Sequence, residues 1–224
     1  MSTITRRPDF SVDRETMVYA ALVLNTELLL VTLHVFFGGT SATSWQGVFQ
    51  YVYPLVWINV ALLAVLTTTP PPVPTKQRRR ALVVGVLYFL VLAAIGGIVR
   101  PGSPEIQSYV QFNLLYLPPG WNPMVAYFGN VVSVTLIPYK LAGYGALSYL
   151  VYVMVLDTAG ISLGSLTGLF SCVSCVLGIL VPTLSSVLGG TAAAVGQLIP
   201  QSYGAATVVY LVSIALLYWR PIGR

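Results

Sequence analysis

The sequence predicts an all-α, polytopic integral membrane protein with six transmembrane helices, and three observations carry that prediction. Hydrophobic residues make up 56% of the 224-residue chain and charged residues only 8%, where soluble domains carry about 25% charge. The apolar residues fall into runs of the length that crosses a bilayer, about 20 residues. Lysines and arginines gather at the ends of those runs, which is how a membrane protein encodes its orientation. The net charge of +5 therefore reports topology. Nucleic acid is not expected as a partner, because no basic, aromatic-interleaved polar face is present.

Residues 17–37 form the first span, an almost unbroken apolar run, and residues 44–66 and 81–99 form the second and third. Residues 122–157 are apolar throughout, yet one helix of that length would extend roughly 50 Å through a hydrocarbon core of about 30 Å. Pro138 divides the stretch: its ring suits the first turn of a helix and pushes Ile137 toward an extended backbone. The fourth span accordingly runs from Pro138 to about Asp157, and residues 122–136 lie in or on the membrane interface. The fifth span covers approximately residues 161–188 and the sixth approximately 203–219.

Arg6, Arg7 and Arg14 precede the first span, Lys76, Arg78, Arg79 and Arg80 precede the third, and Arg220 and Arg224 close the chain. Six spans place all three groups, and with them both termini, on the cytoplasmic side of the cell membrane. A seven-span alternative, in which residues 124–137 cross separately, would export the C-terminal arginines. The whole chain reads as one membrane domain. Residues 1–16 form a cytoplasmic segment, 67–80 a proline-rich basic cytoplasmic loop able to touch anionic lipid, and 100–137 an outer loop rich in aromatics. Tyr109, Phe112, Tyr116, Trp121, Tyr127 and Phe128 in that loop suit either headgroup anchoring or docking of a partner. The first apolar run is longer than the roughly 7–15 residues of a signal-peptide core, so it is expected to stay as a signal anchor.

The sequence holds no phosphate-binding glycine loop, nucleotide fingerprint or zinc-type cluster, and His34 is its only histidine. Two constellations remain. The first is the dithiol Cys172 and Cys175, the only cysteines, inside the fifth apolar run. On a helix, positions i and i+3 share a face, so the two thiols can meet. C-x-x-C spacing in lipid serves disulfide exchange, capture of a soft metal such as Cu(I), or close helix packing. The G-x-x-x-G spacing of Gly164 and Gly168, with Ser165, Thr167, Ser171 and Ser174, fits the packing alternative. No other cofactor is expected.

The stretch 168–182, GLFSCVSCVLGILVP, resembles the first-helix motif of the cytochrome c biogenesis protein CcdA and the transmembrane domain of DsbD. In that family a G-L-x-S run leads to a cysteine followed by V-L-P or a close variant. The resemblance implies electron transfer from a thioredoxin-like protein across the membrane, with Cys175 and its neighbour Cys172 as the redox pair. Ser174 and Gly178 stand where the family has proline, and both cysteines fall in one motif rather than in two repeated ones.

The second constellation is intramembrane and polar. Glu27 and His34 are seven residues apart in the first span, two helical turns, and so line one face. A carboxylate that deep must be paired or protonated. Lys140 can snorkel toward a partner, and Asn59 and Asn130 are further candidates. The face serves either a proton or cation path or a structural contact between helices. Three functions thus stand side by side: thiol–disulfide electron transfer, a noncatalytic subunit that scaffolds or stabilises a larger membrane complex, and copper handling. Their partners are, besides the lipid bilayer, a thioredoxin-like protein or neighbouring membrane subunits.

Overall fold

The computed structural model describes residues 14–37, 45–105, 107–114, 116–158 and 192–219. In chain order they form α1 (Arg14–Phe37), α2 (Trp45–Thr67), α3 (Thr75–Ile95), β1 (Val99–Pro101), β2 (Tyr109–Asn113), β3 (Met124–Phe128), β4 (Val132–Leu136), α4 (Pro138–Thr158) and α5 (Ala192–Trp219).

The sheet corrects the all-α, six-span expectation. Strands β1 to β4 join in the order β1-β4-β3-β2, each pair antiparallel, with Tyr109 opposite Phe128, Val125 opposite Leu136 and Val99 opposite Val134. Residues 124–136 form β3 and β4 and do not cross as a seventh span. Pro118, Pro119, Gly120 and Pro123 break any helix before β3. The segments YVQFN, MVAYF and VSVTL are rich in β-branched and aromatic residues, which fit a pleated surface.

Among the described residues three helices are long and apolar enough to cross a membrane: Met17–Phe37, Gly47–Thr67 and Pro138–Asp157. The expected third span fails by length. Helix α3 begins among Lys76, Arg78, Arg79 and Arg80 and stops at Ile95, so its apolar part, residues 81–95, extends only about 22 Å. Val99 belongs to β1 instead. Helix α3 ends in a Schellman motif: Gly97 adopts a φ of 76° and the Ile98 amide donates to the Ala93 carbonyl at 2.9 Å. In α5 the apolar part is the short stretch Ala206–Tyr218, and the expected fifth span, 161–188, lies outside the described residues. Helix α4 does begin at Pro138.

Helix α4 is central, packed against α2, α3 and α5 through Leu147, Leu150, Val151, Val153 and Leu156, all buried. The sheet sits at one end of these helices. There the Trp121 indole N–H donates to the Gln50 carbonyl at 3.1 Å and the Thr135 amide to the Ile98 carbonyl at 2.8 Å. At the other end lie the basic start of α3 and the last turn of α4, where the Gln77 amide group donates to the Leu156 carbonyl. Lys76, Arg78, Arg79 and Arg80 are all exposed there.

Candidate functional site

Helix α1 stands apart from the core, and its burial pattern identifies its one contact face. Of its residues with described burial only Glu27, Val31 and His34 are half-buried; the others are exposed. Positions i, i+4 and i+7 share a helix face, so the face anticipated from the Glu27 to His34 spacing is the one turned to the protein. Asn59 of α2 donates from Nδ2 to Glu27 Oε1 at 2.7 Å. Two turns further along α1, the His34 ring meets Tyr51 edge-on, with centroids 5.7 Å apart and planes at 62°. Residue numbers rise along α1 as they fall along α2, so the two helices run antiparallel, with a hydrogen bond at one level and a ring contact at the other.

Between those levels the helices do not close on each other. A cleft of about 350 Å³ runs beside Leu28, Val31 and Val35 of α1 and Val48, Val52 and Leu55 of α2, with Glu27 and Tyr51 also on its wall. The lining is aliphatic apart from Glu27 and Tyr51, and Glu27 is the one acidic or basic side chain among its described lining residues. Ligand pockets typically have this composition, apolar with a few placed polar groups, and begin at about 300 Å³.

The other anticipated residues lie elsewhere. Lys140 does not reach Glu27; its Nζ donates to the Gly96 carbonyl at 3.0 Å, at the C-terminus of α3. Asn130 is exposed in the connection between β3 and β4. Cys172 and Cys175 lie outside the described residues. Among the described residues no three His, Cys, Asp or Glu side chains gather to hold a metal ion.

The aromatics of residues 109–128 divide into two groups. Trp121 turns inward against Tyr139, centroids 4.9 Å apart. Tyr109 stacks on Phe128 at 5.0 Å, while Phe112 and Tyr116 stay open, 67% and 84% exposed. Strand β2 is exposed along Tyr109, Val110, Gln111 and Phe112 on both faces, and among the described strands it pairs only with β3. Its outer edge carries no lysine, glutamate or proline to discourage pairing.

Sequence reasoning did not anticipate the cluster around Trp57. That ring is flanked by Tyr139, Tyr144 and Tyr210, and its N–H donates to Thr207 Oγ1 at 3.1 Å. Local spacing gives no sign of it, because Trp57 and Tyr210 are 153 positions apart.

A model of a family of unknown function, DUF7546, matches residues 1–224. No curated protein and no solved structure matches the chain.

Proposed function

The chain belongs to the DUF7546 family, and we propose that it is a noncatalytic integral subunit of the cell membrane, crossing it several times, that scaffolds or stabilises a larger membrane complex. The basic start of α3 faces the cytoplasm in this reading, as the positive-inside rule requires, and the sheet stands on the opposite side. The carrying observation is β2: an aromatic strand that among the described strands pairs with β3 alone and that is exposed on two faces, at the same end of the molecule as the sheet-side termini of α2, α3 and α4. Unpaired backbone groups on an edge strand accept a further strand, and exposed rings beside it add contact area.

The test is photocrosslinking from a benzophenone amino acid at Phe112 in cells, followed by gentle extraction. One stoichiometric partner crosslinks from position 112, and Val110→Lys with Phe112→Lys reduces its co-purification at least tenfold while the variant stays folded. Crosslinks to lipid alone, or undiminished recovery of the partner with the double variant, overturn the reading.

A second reading, thiol–disulfide exchange by Cys172 and Cys175 with a thioredoxin-like protein, is carried by the C-x-x-C spacing. Copper handling by the same thiols shares that single support. Alkylation chemistry separates both from the scaffold reading.

A further inference from the structure

We propose that the cleft between α1 and α2 is a binding site for an amphiphilic amine, whose ammonium head pairs with Glu27 and whose alkyl body lies along the aliphatic wall toward Val35 and Val48.

The chemistry of the ligand follows from the walls. Leu28, Val31, Val35, Val48, Val52 and Leu55 present hydrocarbon alone, so water and polar solutes find no hydrogen-bond partners along most of the cleft. Leu28, Val35, Val48 and Val52 are each at least partly open to the outside, which leaves a lateral entrance from the apolar phase that surrounds α1. The residues from Glu27 to Val35 set a length of about 12 Å, a match for an extended alkyl segment rather than a bulky ring system.

The head group follows from charge. Asn59 supplies one donor, to Oε1 of Glu27. His34 lies two turns further along the same face, with its ring against Tyr51. Arg14 lies thirteen residues earlier on α1, and Lys140 is engaged at Gly96. A carboxylate in apolar surroundings needs a counter-charge or further donors, and an ammonium delivers both in one group. A carboxylate or phosphate head would be repelled, and a neutral alkane would leave Glu27 as it is. The site is independent of β2, and its failure leaves the scaffold reading standing.

The test uses the full chain in phosphatidylcholine nanodiscs and a dodecylammonium probe with a photoreactive diazirine in its tail. Adducts are expected on peptides of α1 and α2, displaced at least tenfold more effectively by unlabelled dodecylammonium than by dodecanol. Glu27→Gln should abolish that preference for the amine. Val52→Trp, which fills the cleft and leaves Glu27 and Asn59 in place, should reduce labelling of α1 severalfold. The proposal is overturned if the exposed side of α3, at Leu82, Val86 and Leu90, labels as heavily as the cleft. It is equally overturned if either variant labels like the wild type, the result expected of a protonated Glu27 that only ties two helices together.

Discussion

The indole of Trp57 lies flat on the ring of Tyr210, with centroids 4.0 Å apart and planes at 8°, while the Tyr210 hydroxyl donates back to the Trp57 carbonyl at 3.1 Å. Stack and hydrogen bond together fix α5 against α2. Both rings are buried and belong to the main hydrophobic cluster. Trp57→Ala should cost about 3–5 kcal/mol, the range for deleting a large buried aromatic. Tyr210→Phe keeps the stack and loses only the hydrogen bond, about 1 kcal/mol. Thermal unfolding in detergent should therefore rank the melting temperatures wild type, Tyr210→Phe, Trp57→Ala. Equal losses from the two variants would show that the stack contributes nothing beyond the hydroxyl.

Gly143 and Gly120 sit where side chains do not fit. A β-carbon at Gly143 would overlap the Trp57 ring, which cannot withdraw because Tyr210 stacks on it and Thr207 holds its N–H. Gly143→Ala should destabilise by about 1–3 kcal/mol through overpacking. Gly120 adopts a φ of 88°, and its β-carbon would stand 2.6 Å from that of Pro54; its carbonyl also accepts the Tyr139 amide at 3.1 Å. Gly120→Ala combines left-handed strain with a clash against a ring that has no freedom to move. It should melt lower than Gly143→Ala. The reverse order would place the tighter constraint at the α2–α4 contact instead.

Some of this architecture was legible in the residues. The apolar run 17–37 and the break at Pro138 marked α1 and the start of α4, because length and proline geometry are local properties. The spacing of Glu27 and His34 marked the inward face of α1, and Asn59 was among the candidate partners of Glu27. The sheet was hidden by its surroundings. Strands β2, β3 and β4 are five residues each, and in a chain this apolar a hydropathy window merges them with their neighbours before a period of two can show. Helix α3 misled for a related reason: Ile95 to Val99 stay apolar while the backbone turns at Gly96 and Gly97. Lys140 was expected to snorkel toward a partner left unnamed, and the first turn of α4 sets it beside the end of α3, where it meets a backbone carbonyl. That adjacency is tertiary, like the meeting of Trp57 with Tyr210, and no local pattern encodes it.

The Asn59–Glu27 bond joins α1 to α2 at the level where α1 is otherwise exposed. A double-mutant cycle with Glu27→Gln and Asn59→Leu should give a coupling energy of about 0.6 kcal/mol, rising to about 1.7 at most, the span found for hydrogen bonds between membrane helices. The readout is resistance to unfolding in mixed micelles, supported by proteolysis of the segment joining α1 to α2. Additive single variants, with no coupling, would mean that α1 is held by its apolar contacts alone.

Cys172 and Cys175 offer a prediction that sorts the functional readings. Under the scaffold reading both thiols alkylate equally in reduced and oxidised preparations, and both tolerate alanine with unchanged recovery of partners. Under the exchange reading, oxidation protects both from alkylation, and Cys175→Ser traps a mixed disulfide through Cys172. Mass spectrometry of the intact chain after iodoacetamide treatment reads the difference as two adducts or none. Protection without any trapped partner, together with bound copper lost in either cysteine variant, would favour metal handling.

Lys140 closes the end of α3. The last carbonyls of a helix carry partial negative charge and lack intrahelical donors. The Lys140 ammonium supplies one, at 3.0 Å from the Gly96 oxygen, while the Gly96 amide still bonds back to Leu92. A single side chain at the start of α4 thereby ties the end of α3 to the first strand of the sheet, since Ile98, two residues on, accepts from Thr135 at the edge of β4. Lys140→Met keeps the aliphatic stem and removes the charge and the donor, so packing is preserved and the loss should be about 1–2 kcal/mol. Hydrogen exchange localises it: the amides of Gly96 and Ile98 should exchange about tenfold faster or more, while those of Leu150 and Val151, deep in α4, stay protected. Uniform acceleration along α4 would show that Lys140 supports the whole bundle, and unchanged exchange at Gly96 would show that the Schellman turn holds the junction unaided.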